Sequence, residues 1–214
     1  HGNWAGDGKC LFLLDGRQLN ENDLGFHAIG HRVPLANVER IEVVMGPSSV
    51  SQGGFAALGV VNIVTRTADQ GTGSKAEIHT GYSAQDMTRT GVNFSGAHRI
   101  GIDQDISYLA SHTRGRRSNA LRLLPDSTLL DFADSTGMEA TSFQLNYRWK
   151  DLKASVVYME ETFAVSDAQY SMHLSDLLIG IEYSRKLGQL VDMVVKLDHT
   201  DQKPWNHVNT NDPV

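Results

Sequence analysis

What this chain has little of narrows the field first. A single cysteine, Cys10, among 214 residues cannot close an internal disulfide, which excludes a disulfide-stapled secreted scaffold. No run of 18 apolar residues occurs, so no transmembrane helix is written in the sequence. Positive charge is short as well: 19 Lys and Arg face 25 Asp and Glu, a formal net charge of −6, and the basic residues cluster only in "RGRR" at 114–117. That balance argues against a nucleic-acid partner. Catalytic signatures are missing too. There is no nucleophile elbow, no paired-cysteine metal motif, and only an incomplete phosphate-loop fragment, "GDGK" at 6–9. The expectation is a protein that is not an enzyme and holds no metal or cofactor. A mean hydropathy of −0.29 does not speak against a membrane β-barrel, whose alternating strands dilute the apolar signal.

What is present falls into two regions. Residues 10–66 read as a small mixed α/β unit. "CLFLL" (10–14) is a short apolar strand closed by the turn pair Asp15-Gly16. A polar loop follows over 20–33. Pro34 suits the first position of a helical turn through "LANVE". "RIEVVM" and "VVNIVT" are β-branched strands on either side of "GPSSVSQGGFAALG", which has room for a short helical turn. Such short strands around long loops bury little core, so the unit needs walls from elsewhere.

From about Gly71 the pattern has a period of two. In 142–149, Phe143, Leu145, Tyr147 and Trp149 alternate with Ser142, Gln144, Asn146 and Arg148. Segments 152–158 and 191–198 alternate likewise, and 76–83, 90–97, 104–112 and 177–185 do so less cleanly. About seven strands result, each near the roughly 9–11 residues that cross a bilayer when tilted. A soluble β-sandwich alternates in the same way. The connections favour a barrel: 98–103, 150–151 and 186–189 are short, whereas 113–140 and 163–175 in the alternate set are long, although the first of that set, near 84–89, is also short. Short turns on one side and long loops on the other mark outer-membrane barrels. Within the longest loop, "NALRLLPDSTLLDF" spaces its apolar residues at helix-like intervals. Tyr108, Tyr147, Trp149, Tyr158 and Tyr183 fit an interfacial girdle. The sequence opens at His1 and ends in the polar "HVNTNDPV", and both ends read as cut or processed, so a larger protein seen in part is expected.

"LFLLDGRQLN" (11–20) and "PLANVERIEVVMGPSSVSQGGFAALGVVNIVTR" (34–66) resemble the second half of the plug of TonB-dependent outer-membrane receptors. The resemblance is carried by Asp15-Gly16, Pro34-Leu35, Glu39 through Val43, Gly46-Pro47, Ala56 and Gly59 through Thr65, in that order. It implies a mainly β protein, in which residues 1–70 are the C-terminal half of a plug. Residues 71–214 are then the first seven or so strands of a 22-stranded plugged barrel. It also implies residence in the outer membrane among its lipids, and uptake of a scarce ligand such as an iron chelate, cobalamin, haem or a glycan. The TonB complex would drive that uptake through a segment outside this chain. Where the family commonly has an Arg before Gly46-Pro47, this chain has Met45. That departure is mild support for a second reading, a non-transporting structural or interaction protein with the same fold.

Loop 20–33 matches the region where such plugs raise an apex toward the ligand. The candidate ligand-binding residues are Asn20, Glu21, Asn22, Asp23, Phe26, His27 and His31, which offer hydrogen bonding and stacking. His27 and His31 stand four apart, but Gly25 and Gly30 oppose the helix that would pair them as metal ligands. Arg40 and Glu42 are candidates for plug–barrel contacts, with ordinary solvated strand charge as the alternative. The acidic residues of 113–140 match no calcium-loop spacing.

Overall fold

The computed structural model describes residues 9–22, 31–46, 55–83, 86–116, 121–123, 129–131, 137–164, 170–188 and 190–209. Strand β1 (Cys10–Leu14) folds back on β2 (Arg17–Gln18) through Asp15 at φ 50° and Gly16 at φ 79°. Positive φ at both central residues is the backbone of a tight hairpin turn, and Asp-Gly is a favoured pair for it. A 3-10 turn (Leu35–Asn37) follows Pro34 and leads into β3 (Val38–Met45). Next, β4 (Gly59–Thr65) lies parallel to β1 and antiparallel to β3, giving the order β2-β1-β4-β3. Among the described residues the helical part of this unit is that one 3-10 turn. Of the stretch 48–59, expected to hold a short helical turn, residues 55–58 are non-helical and Gly59 opens β4, and the rest lies outside the described residues.

A second 3-10 turn (Ala68–Gln70) carries the chain into a large antiparallel sheet. Its strands are β5 (Gly73–Ser83), β6 (Asp86–Gly101) and β7 (Gln104–Arg116), then, after a two-stranded insert, four more. The insert pairs β8 (Leu121–Leu123) with β9 (Leu129–Asp131). It corrects the helix-like reading of "NALRLLPDSTLLDF": Leu121, Leu123 and Leu129 sit on a hairpin and are exposed. Strands β10 (Gly137–Trp149), β11 (Leu152–Ala164), β12 (Tyr170–Leu187) and β13 (Val191–Asn209) complete the order β13-β12-β11-β10-β7-β6-β5. All seven expected strands are present. The connections β6–β7, β10–β11 and β12–β13 span two or three residues. On the other side β5–β6 is equally short at two residues and β11–β12 spans five, so of the long links expected there only β7–β10, which carries the insert, is long; the sheet is not closed.

The two faces of this sheet are inverted relative to a water-soluble one. The covered face is mixed: Ser107, Ser111, Thr113, Ser142, Gln144 and Ser155 are buried on it alongside Leu109, Val157, Met159, Leu174 and Leu178. Their alternates point outward: Phe143 is 42% exposed, Trp149 47%, Ile181 45% and Leu197 70%. A sandwich would bury the apolar set instead. Only apolar surroundings stabilise a continuous outer face of this kind. The strand pairing places Trp149, Leu152 and Tyr183 in one row near the short turns, and Phe143, Tyr158 and Leu177 in another further along.

The small sheet docks through a shared core. Leu14, Leu19, Val33 and Ile63 pack with Val157, Met159 and Leu178 of β11 and β12. Burying each of these side chains contributes about 1.5–3 kcal/mol relative to exposure, an upper-bound figure. A strand-and-loop unit too small to hold a core thereby acquires one from the wall.

Candidate functional site: the seam between the two sheets

Asn20 is fully buried, and its side chain is committed to the backbone of β1. Its Oδ1 accepts the Phe12 N–H at 2.7 Å, and its Nδ2 donates to the Cys10 carbonyl at 3.0 Å. Glu21 is buried beside it, whereas Asn22 is exposed and accepts a hydrogen bond from Gln18 Nε2 at 3.1 Å. Asp23, Phe26 and His27 lie outside the described residues. His31 is half-buried and lines a cavity of about 820 Å³ between residues 31–36 and strands β5–β7. The apex residues therefore divide between a structural role at Asn20 and a cavity wall at His31.

Arg40 and Glu42 bind one another. The Arg40 Nη2–Glu42 Oε1 separation is 2.8 Å, Glu39 lies 3.1 Å from Nη1, and Asn62 Nδ2 donates to Glu42 at 2.9 Å. The hydrogen bond from Asn62, then the one from Arg40, holds the Glu42 carboxyl below its usual range. The hydrogen bond to Glu42 in turn raises the Arg40 guanidinium. Both side chains are about half exposed on β3, the outer edge of the small sheet, and these bonds all lie within that sheet.

Other charges tie the two sheets together. Arg32 and Asp176 form a buried ion pair, and Ser142 Oγ donates to the Arg32 carbonyl. Arg17 Nε stands 3.0 Å from Asp198 Oδ1, against the bare Cα of Gly180, where a Cβ would come within 2.4 Å of the guanidinium. Asp69 in the connecting 3-10 turn reaches Arg148 at 2.8 Å and Arg99 at 2.9 Å, and both arginines also hold buried Asp105. Asp15 accepts the Thr65 N–H at 2.8 Å and its hydroxyl at 2.7 Å, which fixes the end of β4 just ahead of that turn. The sequence reading missed these ties. Its available signal was lone charges such as Arg148 and Asp198 at polar-face positions of otherwise apolar strands.

A second cavity of about 530 Å³ lies below the first, lined by Asn37, Glu39, Arg66 and residues 71–75 and 95–97. The seam is therefore uneven. Against β10–β13 the small sheet is held by apolar packing and ion pairs, and against β5–β7 it leaves polar space.

Residues 5–60 match the family described as "TonB-dependent Receptor Plug Domain". Over 77 residues the chain is 35% identical to the vitamin B12 transporter BtuB of Vibrio vulnificus, covering 36% of this chain and 12% of that protein. Over 86 residues it is 34% identical to the ferric enterobactin receptor of Pseudomonas aeruginosa, covering 36% of this chain and 12% of that protein. The fold is that of the siderophore receptor PirA from Pseudomonas aeruginosa, with a TM-score of 0.62 at 19% identity, covering 91% of this chain and 33% of that one. PirA from Acinetobacter baumannii gives a TM-score of 0.63 at 16% identity, over 94% of this chain and 33% of its own. The chain thus spans about a third of the solved receptors it resembles. Residues 5–60 thus carry plug-domain sequence, and the sheet on which they are seated has the fold of solved TonB-dependent siderophore receptors, which this chain resembles over about a third of their length.

Proposed function

We propose that this chain is the plug-and-wall part of an outer-membrane receptor that imports a scarce ligand, an iron chelate or cobalamin, by TonB-driven movement of the plug. Residues 1–70 serve as the later plug and 71–214 as the opening strands of a 22-stranded barrel. The observation that carries the reading is the inverted sheet: its mixed face is covered by a plug and its apolar face is turned outward. Relatives named for vitamin B12, siderophores and ferric enterobactin support the ligand class. In this reading the ligand is met by Asn22, Asp23, Phe26 and His27 of loop 20–33 together with His31. Asn20 and Glu21 brace that loop from below. The protein binds and moves its ligand without chemical conversion. The test is uptake of labelled ferric enterobactin and of cyanocobalamin by receptor-deficient cells expressing the full-length protein, with and without TonB. Energy-dependent uptake of either probe is expected, and uptake equal in both backgrounds would sink the reading.

One observation favours a non-transporting scaffold with the same fold. Met45 is 88% exposed where the family commonly carries Arg, and neighbouring Arg40 and Glu42 satisfy each other. A scaffold would show neither binding nor uptake of the probes while still assembling in the outer membrane.

A further inference from the structure

The two cavities of the seam share two lining residues, Arg66 and Lys75. These side chains therefore stand at the boundary between the upper space, reached by His31, and the lower one beside the connecting turn. Arg66 follows β4 directly, and its backbone N–H donates to the Asn37 carbonyl at 2.9 Å, which fixes its base. Its guanidinium is exposed and has no ion pair among the described residues. Lys75 projects from the covered face of β5 and pairs with Glu77 at 2.5 Å. Glu39, the other carboxylate in reach of the lower cavity, is engaged by Arg40. The boundary between the cavities therefore carries net positive charge.

The wall beside the upper cavity is shaped by one close approach. Gly91, at a covered position of β6, lets the His79 ring lie flat on the strand, and a Cβ there would come within 2.3 Å of Nε2. Val157, Met159 and Leu178 instead pack directly into the plug core. Opening the seam along β10–β13 would break the Arg32–Asp176 and Arg17–Asp198 pairs and expose apolar surface. Along β5–β7 it would displace mostly polar side chains around existing voids.

We propose that cargo crosses along the β5–β7 arc and that Arg66 and Lys75 form an anion-selecting constriction between its two cavities. The proposal rests on the receptor reading above. A cationic boundary in a cleft raises the local concentration of anions and disfavours cations. The cargo it fits is an anionic metal chelate, such as a tris-catecholate.

The test uses the full-length receptor in receptor-deficient cells with labelled ferric enterobactin. Surface binding is measured in the cold and uptake at growth temperature. For the double variant Arg66→Gln with Lys75→Gln, binding is expected within about twofold of wild type and uptake lower by about tenfold or more. The charge-keeping pair Arg66→Lys with Lys75→Arg is expected to retain uptake, which separates charge from packing. Uptake unchanged in the Gln pair, or lost equally in both pairs, overturns the constriction. If the wild type imports cyanocobalamin and not the ferric chelate, anion selection is overturned while the receptor reading stands. If it imports neither, the receptor reading fails and this inference falls with it.

Discussion

At the scale of single residues, Asp69 joins the two sheets where the chain passes from one to the other. The hydrogen bond from Arg148, then the charges of Arg148 and Arg99, hold its carboxyl below the usual range. A folded value below the unfolded one, near 3.9 on average for Asp, fixes the sign of the pH dependence. The stabilisation is fully present above the unfolded value and is lost as the pH falls through the folded value. Asp69→Asn is therefore expected to flatten the acid limb of thermal stability below about pH 4, with little change in its shape near neutrality. Thermal unfolding of the full receptor in detergent between neutral and acid pH reads this directly, and identical acid limbs would refute it. Such ties were hard to read from sequence. Arg32 and Asp176 lie 144 residues apart, Arg17 and Asp198 lie 181 apart, and nothing local names the partner. Asn20 was illegible for another reason. A side-chain amide offers the same donor and acceptor to a ligand as to the β1 backbone, and only burial decides between them.

At the scale of elements, backbone approach and side-chain packing limit the plug in different ways. Gly59 opens β4 opposite Met45, and a Cβ there would lie 2.5 Å from the Val44 carbonyl oxygen. Main-chain atoms cannot swing aside, so Gly59→Ala is expected to cost about 1–3 kcal/mol, as overpacking does. Leu178, 1% exposed in the shared core, makes the opposite case. Leu178→Ala leaves a cavity and is expected to destabilise by about 2–5 kcal/mol. Measured by protease resistance of the plug in the assembled receptor, both variants should loosen the plug while the wall persists. A wall that melts together with the plug would contradict this division. The strands themselves were legible because period-two alternation survives whichever face is apolar, as in Phe143 through Trp149. The β8–β9 insert was not. In "LRLL" and "LLD" the apolar residues run too close together for either period, and no pattern marks Leu123 as the partner of Leu129.

At the scale of the molecule, the two edge strands govern what the chain requires. The large sheet ends on β5 at one side and β13 at the other, and each presents a row of unpaired backbone groups. In a bilayer such an edge is costly, because no water reaches it and every backbone group must find a protein partner. Its outer face makes retreat into water equally unfavourable, with Ile78 82% exposed on β5 and Leu197 70% exposed on β13. The plug adds a third demand: β3 is an edge with Ile41, Val43, Val44 and Met45 exposed, in want of a wall on its far side. More strands from the same polypeptide meet all three demands at once, consistent with coverage of 33% of the related solved receptors. The expected intact mass of the polypeptide extracted from outer membranes is then about three times the 23.5 kDa of this chain, as one closed 22-stranded barrel requires. A measured mass of 23.5 kDa would mean that separate chains pair edge to edge to close the wall. In that case the plug of each would meet a neighbour's strands, and uptake would depend on assembly as well as on the constriction at Arg66 and Lys75.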